Sequence, residues 1–92
     1  SGDDVQSQSV PVINALGLHA RAAARFVHRA SQFRSRIRVT RGGQTVDGKS
    51  ILGLLLLAAA RGTTLDITAE GPDEAEALAA LVDLTARGFD DP

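Results

Sequence analysis

None of the 92 residues is a cysteine, methionine, tryptophan or tyrosine. Without cysteine there are no disulfide staples and no thiolate metal ligands. A reducing compartment therefore suits the chain, and its fold has to rest on an apolar core. The aromatic side chains are three phenylalanines, which leaves little with which to stack nucleobases. Long hydrophobic runs are missing too: the longest, Ile51 to Ala60, is broken by Gly53 and falls well short of the roughly 20 residues that span a bilayer. The opening SGDDVQSQS lacks the basic and apolar regions of a secretory signal, so neither export nor membrane insertion is expected. No glycine-rich phosphate cradle and no substrate-pocket motif is present, so a self-contained enzyme is not expected. The two histidines, His19 and His28, stand nine residues apart with no carboxylate nearby in the sequence, a poor pattern for a metal. No metal and no cofactor is expected.

What remains is a 43% hydrophobic chain of a size that makes one domain. Residues 1–8 are polar and are expected to lie outside it, as a disordered segment or a cloning remnant; the domain is expected over 9–92. The net charge of -1 hides a strong asymmetry. Seven arginines (21, 25, 29, 34, 36, 38 and 41) follow His19 with no acid among them, whereas eight acids and Arg87 lie from Asp66 onward. Such a basic stretch suits an acidic partner, a phosphorylated group or nucleic acid, or is simply a solvated face.

Periodicity supplies the elements. Val10 to Ile13 is a short β-branched run, with Pro11 arguing for a sheet edge. Ala20, Ala23, Ala24, Val27 and Ala30 recur at helical spacing with Phe26 flanking them, and Arg21, Arg25, His28, Arg29 and Gln32 take the opposite side. Arg36 to Arg41 alternates with Ile37 and Val39 inward, Gly42-Gly43 suits a hairpin, and Gln44 to Asp47 returns. Ser50 is a natural cap for a helix expected over Ile51 to Ala60, with Gly62 closing it. Thr64 to Glu70 alternates again. Gly71-Pro-Asp-Glu opens a last helix with the stripe Ala75, Leu78, Leu81, Val82 and Thr85, ended by Gly88. The order β-α-β-β-α-β-α predicts an α+β domain, with helices on one face of a four-stranded sheet.

His19 sits where a loop becomes a helix. The first amides of a helix lack partners and attract anions, and Arg21 adds a planar set of donors. A neutral imidazole is a nucleophile near physiological pH, so a transient phosphohistidine has its requirements met here. Local physics also allows a plainer role, a polar residue at a helix start. His28, between Arg25 and Arg29, reads as solvent-facing or partner-facing. Ser50 likewise has a sufficient role as a helix cap.

Gly17-Leu-His-Ala-Arg21, followed by a small-residue helix, resembles the active-site signature of the histidine-containing phosphocarrier (HPr) family of the bacterial phosphoenolpyruvate-dependent phosphotransferase system. Gly48-Lys-Ser-Ile-Leu-Gly53 resembles that family's second motif, centred on a regulatory serine, and the two stand at the family's spacing. The resemblance runs over about residues 9 to 88. It implies an antiparallel open-faced β-sandwich with three helices, in a cytoplasmic carrier that is itself no enzyme. It also implies that His19 is phosphorylated on Nδ1, that Arg21 orients the phosphate, and that Ser50 is the target of an HPr serine kinase/phosphatase. Enzyme I would be the donor and an enzyme IIA-type protein the acceptor. Ala22 departs from the proline that many members have after the arginine. The stretch GPDEAEALAALVDLTARGFDD resembles the family's nitrogen-regulatory branch.

The leucine-rich helix after Ser50 is apolar nearly all round, more than one small sheet can bury. Leu54 and Leu57 suit the core. Ile51, Leu52 and Leu55, together with Ala20, Ala24, Arg25, His28 and Lys49, suit a basic-rimmed docking patch. A carrier that docks through one patch is expected to be a monomer. The alternatives are a protein-binding module switched by Ser50 without phosphotransfer, and a nucleic-acid-binding module using the Arg21–Arg41 stripe. The slight negative charge and the dearth of aromatics speak against the second.

Overall fold

The computed structural model describes residues 5–91. Its elements are β1 (Val5–Pro11), α1 (Ala20–Ala30), β2 (Arg36–Arg41), β3 (Gln44–Asp47), α2 (Ile51–Leu56), β4 (Thr64–Glu70) and α3 (Glu74–Ala86), followed by a single 3₁₀ turn, Gly88–Asp90. The strands form one antiparallel sheet in the order β1-β4-β2-β3. In one row of the ladder Val46, Val39 and Ile67 stand side by side, and Val10 pairs with Leu65. These side chains point into a core completed by Phe26 from α1, Leu54 from α2 and Leu81 from α3. The other sheet face is polar: Ser7 and Thr68 share a hydroxyl hydrogen bond of 3.2 Å, and Thr40 and Thr45 one of 2.8 Å. All three helices therefore cover one face of the sheet, the α+β arrangement that the element order predicts and the open-faced sandwich that the resemblance implies.

The structure departs from the sequence pattern at four places. β1 begins at Val5 rather than Val10, so residues 5–8 belong to the sheet instead of lying outside the domain; residues 1–4 fall outside the described residues. Its seven residues pair along β4 through backbone groups, and only Val10 of them is buried, so there is no alternation to find. Ile13, expected at the end of that strand, is exposed beyond it.

The second departure is α2, which stops at Leu56 instead of reaching Ala60. Ala58 takes a left-handed φ of 48°, which frees the Ala59 carbonyl to accept the Leu18 N–H at 2.9 Å. A good helix-forming alanine run is thus diverted by a tertiary bond. Gly17, at φ 66°, lies against the same carbonyl: a Cβ there would stand 2.4 Å from the Ala59 oxygen. The loop that delivers His19 needs a glycine at this point.

The remaining two departures are shifts of helix faces. α1 buries Ala22, Ala23, Phe26 and Ala30, whereas Ala20 and Ala24 are exposed and Val27 is only half-buried. The large ring of Phe26 gains most from burial, so it centres the inward face rather than flanking it. α3 buries Ala77, Leu78, Leu81, Leu84 and Thr85, and leaves Ala75 outside. Its start is set by a distant contact. Asp73 does not cap its own helix but accepts from the backbone N–H groups of Arg34 and Ser35, each at 2.9 Å, and from the Ser35 hydroxyl at 2.5 Å.

Candidate functional site

His19 is the N-cap of α1, in extended conformation, and its Nδ1 accepts the Arg21 N–H at 3.3 Å. The same Nδ1 therefore faces the first turn of the helix. There the ladder supplies no partners for the leading amides, and the helix dipole is positive. Ala22 adds an amide to that turn where proline would remove one, and its side chain is fully buried.

The other ring nitrogen, Nε2, donates to Asp91 Oδ2 at 2.9 Å. Asp91 is the centre of the cluster. Its Oδ1 accepts from Arg21 Nε at 2.9 Å and Arg21 Nη2 at 2.7 Å, and its carboxylate has no exposed surface. Asn14 donates through Nδ2 to the Gly17 carbonyl at 2.8 Å and approaches Asp91 Oδ2 at 3.4 Å. The imidazole keeps 24% of its side-chain surface in solvent, enough for an incoming group to reach it.

A strained turn brings Asp91 there. Gly88, Phe89 and Asp90 all have positive φ, at 69°, 58° and 56°. Two of them are not glycine, and such residues cost of order 1–3 kcal/mol each. The turn is held by the fully buried Phe89 ring and by Arg25, whose Nη1 donates to the Phe89 and Asp90 carbonyls at 3.0 Å.

The hydrogen bond from His19 is the main reason that the Asp91 carboxyl lies at about 2 rather than 3.8; burial opposes this, and Arg21 and Asn14 assist. Asp73 is likewise lowered to about 2, chiefly by the Ser35 hydroxyl. Both groups bind fewer protons folded than unfolded near pH 3, so their contribution is complete above 3.8 and drains as pH falls toward about 2. Melting midpoints are expected to drop across that window, and an Asp73→Asn variant, already lacking one of the two carboxylates, to drop less steeply. Thermal melts followed by circular dichroism at stepped acidic pH provide the check.

The site residues expected from sequence fall into two groups. His19 and Arg21 meet at Asp91. Ser50 caps α2, its Oγ accepting the Gly53 N–H at 3.0 Å. Ile51, Leu52 and Leu55 are exposed on α2, while Leu54 and Leu57 are buried. Ala20, Ala24 and His28 are exposed on α1, which packs beside α2. Lys49 is half-buried and donates through Nζ to the Phe33 carbonyl at 2.8 Å. Arg25 does not project freely, since it is bonded to the last turn.

The arginines do not form one stripe. Arg21, Arg25 and Arg29 lie on α1, while Arg36 and Arg38 alternate with the inward residues of β2 and so take the far sheet face. Asp91 and Asn14 went unnoticed in the sequence, where only the acidic tail opposite a basic segment hinted at such a pairing. Leu56 and Leu16, which are not among the expected docking residues, are also exposed, at 67% and 65%. Among the described residues, no helix is long and apolar enough to cross a membrane.

Comparison with known proteins gives the family and matches the fold. A family model described as the PTS HPr component phosphorylation site matches residues 6–87. The phosphocarrier protein HPr of Neisseria meningitidis is 54% identical over 77 residues, covering 84% of this chain and 86% of the relative. The crystal structure of HPr from Thermoanaerobacter tengcongensis superposes with a TM-score of 0.90 at 41% identity, covering 95% of this chain and 98% of that one. HPr from Bacillus anthracis gives 0.87 at 40% identity over 90% of this chain and 99% of that one. The chain therefore belongs to the HPr family, the phosphocarriers of the bacterial phosphotransferase system, and is a carrier rather than an enzyme.

Proposed function

We propose that this protein takes a phosphoryl group onto His19 Nδ1 from enzyme I and passes it to an enzyme IIA-type protein, in the cytoplasm and as a monomer. The observation that carries the reading is the orientation of His19: Nε2 is tied to a carboxylate, and Nδ1 is turned toward the amides of the α1 first turn. In the forward step the Nδ1 lone pair attacks phosphorus as the bond to the donor breaks, and the bonding electrons leave with the donor. The Arg21 amide, now accepted by Nδ1, would turn to a phosphoryl oxygen, and the Arg21 guanidinium supplies further donors. Few donors and open access suit a group that has to leave again.

Docking is assigned to the exposed Ile51, Leu52 and Leu55 of α2 with Ala20, Ala24, Arg25, His28 and Lys49 around them. An apolar patch rimmed by basic groups fits acidic partner surfaces. Ser50 borders this patch, so phosphorylation there by an HPr serine kinase/phosphatase would set about two negative charges against such partners and weaken docking. The division of the arginines between α1 and the far sheet face favours this reading over nucleic-acid binding.

The test is incubation of the purified protein with phosphoenolpyruvate and active enzyme I, followed by intact mass and acid treatment. One phosphate, lost in acid, is expected. A phosphate that survives acid would point to serine and to the module switched by Ser50, and no labelling would overturn the assignment.

A further inference from the structure

We infer that Asp91 is a positioning residue for phosphoryl transfer: its carboxylate holds the ring proton of His19 on Nε2, leaving the Nδ1 lone pair to face the incoming phosphorus. This rests on the reading of His19 as the phosphoryl acceptor.

The geometry leaves the ring two neutral forms. A carboxylate only accepts, so the 2.9 Å contact to Asp91 Oδ2 requires the proton on Nε2. A backbone amide only donates, so the 3.3 Å contact from the Arg21 N–H requires a lone pair on Nδ1. The two contacts select the same tautomer from opposite sides of the ring. The charged groups around His19 are Arg21 and Arg25 from α1 and Asp91 from the last turn, with Asn14 the polar neighbour on the preceding loop. Asp91 is the acceptor among them within reach of Nε2.

The position of Asp91 is not incidental. Its side chain has no exposed surface, Arg21 grips Oδ1 with two N–H groups, and Arg25 holds the carbonyls of the two residues before it. Oδ2 is thereby aimed at the ring. During transfer Nε2 keeps its proton, the N–P bond forms at Nδ1, and the ring gains a positive charge that the adjacent carboxylate offsets. On delivery the N–P bond breaks and its electron pair returns to Nδ1, so the ring needs no proton movement in either direction. A ring protonated on Nδ1 would first have to lose that proton. The arrangement is the orienting-carboxylate logic of a histidine dyad applied to a phosphoryl acceptor.

Asp91→Asn is the informative change because it preserves shape. Arg21 makes the two short contacts, so the amide oxygen should face Arg21 and the amide NH2 should face His19. An NH2 group donates, which favours a lone pair on Nε2 and moves the proton to Nδ1.

The experiment is a two-bond ¹H–¹⁵N correlation spectrum of the imidazoles in the full chain at mildly alkaline pH, for wild type and Asp91→Asn. Phosphoryl acceptance from enzyme I is measured alongside as separate kcat and KM values. The wild-type ring is expected to carry its proton on Nε2 and the variant ring on Nδ1. The variant kcat should fall about 10- to 100-fold, as for loss of comparable orienting partners, with KM for enzyme I unchanged.

A wild-type ring protonated on Nδ1 overturns the proposal without any variant, which covers the case of a variant that does not fold. A folded variant that keeps the Nε2 proton and the wild-type kcat overturns it as well. Failure of the phosphocarrier reading would look different: wild type would take up no phosphate at all, and the ring spectra would still judge the hold of Asp91 on the tautomer.

Discussion

His19→Ala is expected to accept no phosphate, and Arg21→Ala to accept it about 100-fold or more slowly than wild type, in line with removal of one preorganised donor set from a developing oxyanion. The two losses differ in kind. Without the imidazole there is no nucleophile, and His28, exposed and far along the polar face of α1, offers no comparable first-turn amides. Without Arg21 the nucleophile remains, but two things go wrong together. The phosphoryl oxygens lose a planar cation, and the Asp91 carboxylate loses the two N–H groups at 2.7 and 2.9 Å that now neutralise it. An unneutralised carboxylate next to the reacting centre repels the incoming group. Arg21→Lys should recover only part of the rate, because an ammonium restores charge without the planar fork. Initial rates of acid-labile labelling by enzyme I, compared across the three variants, provide the measurement; a normal rate for Arg21→Ala would remove Arg21 from the site.

Phe26→Ala is expected to destabilise the fold by about 3–5 kcal/mol. Phe26 is fully buried and centres the inner face of α1 in the one continuous core of the domain. A domain of this kind has a total stability of roughly 5–15 kcal/mol, so the loss takes at least about a fifth of it. Urea unfolding should show a lower midpoint with little change in slope. Leu52→Ala serves as the contrast. At 75% exposed that leucine has little to lose from the folded state, and its removal should leave the midpoint nearly unchanged. Equal effects from the two changes would contradict the placement of these helices.

Most of the fold was legible in the sequence because its elements are amphipathic and short. Ile37 and Val39 alternate with arginines, so β2 could be placed to the residue. Gly42-Gly43 marks the hairpin, and α1 matches its expected span of Ala20–Ala30. The errors came where local preference and tertiary contact disagree. An alanine run reads as helix until the Ala59 carbonyl is needed to hold the loop before His19. A polar stretch reads as a tail until a neighbouring strand supplies partners for its backbone, as β4 does for Val5 to Ser9.

The same division runs through the site. The two short motifs place His19 and Ser50 at helix starts, where the structure has them as caps, because a cap and the free amides after it are local needs. The functional roles expected for His19, Arg21 and Ser50 come from the resemblance of those motifs to the family. Burial also sorted the leucines of α2 as the one-sidedness of a small sheet requires, with Leu54 and Leu57 inside and Leu52 outside.

The sequence by itself determined the element order, the helix start that presents His19, and the capping serine of α2, since these depend on neighbours within a few residues. Only the tertiary structure decided that Asp91, 72 positions away, would close on the ring. That contact depends on a three-residue left-handed turn paid for by burying Phe89, and on Arg25 reaching across to its carbonyls. No periodicity records such a long-range balance of strain against burial, so which nitrogen of His19 keeps its proton could be read only once the chain was folded.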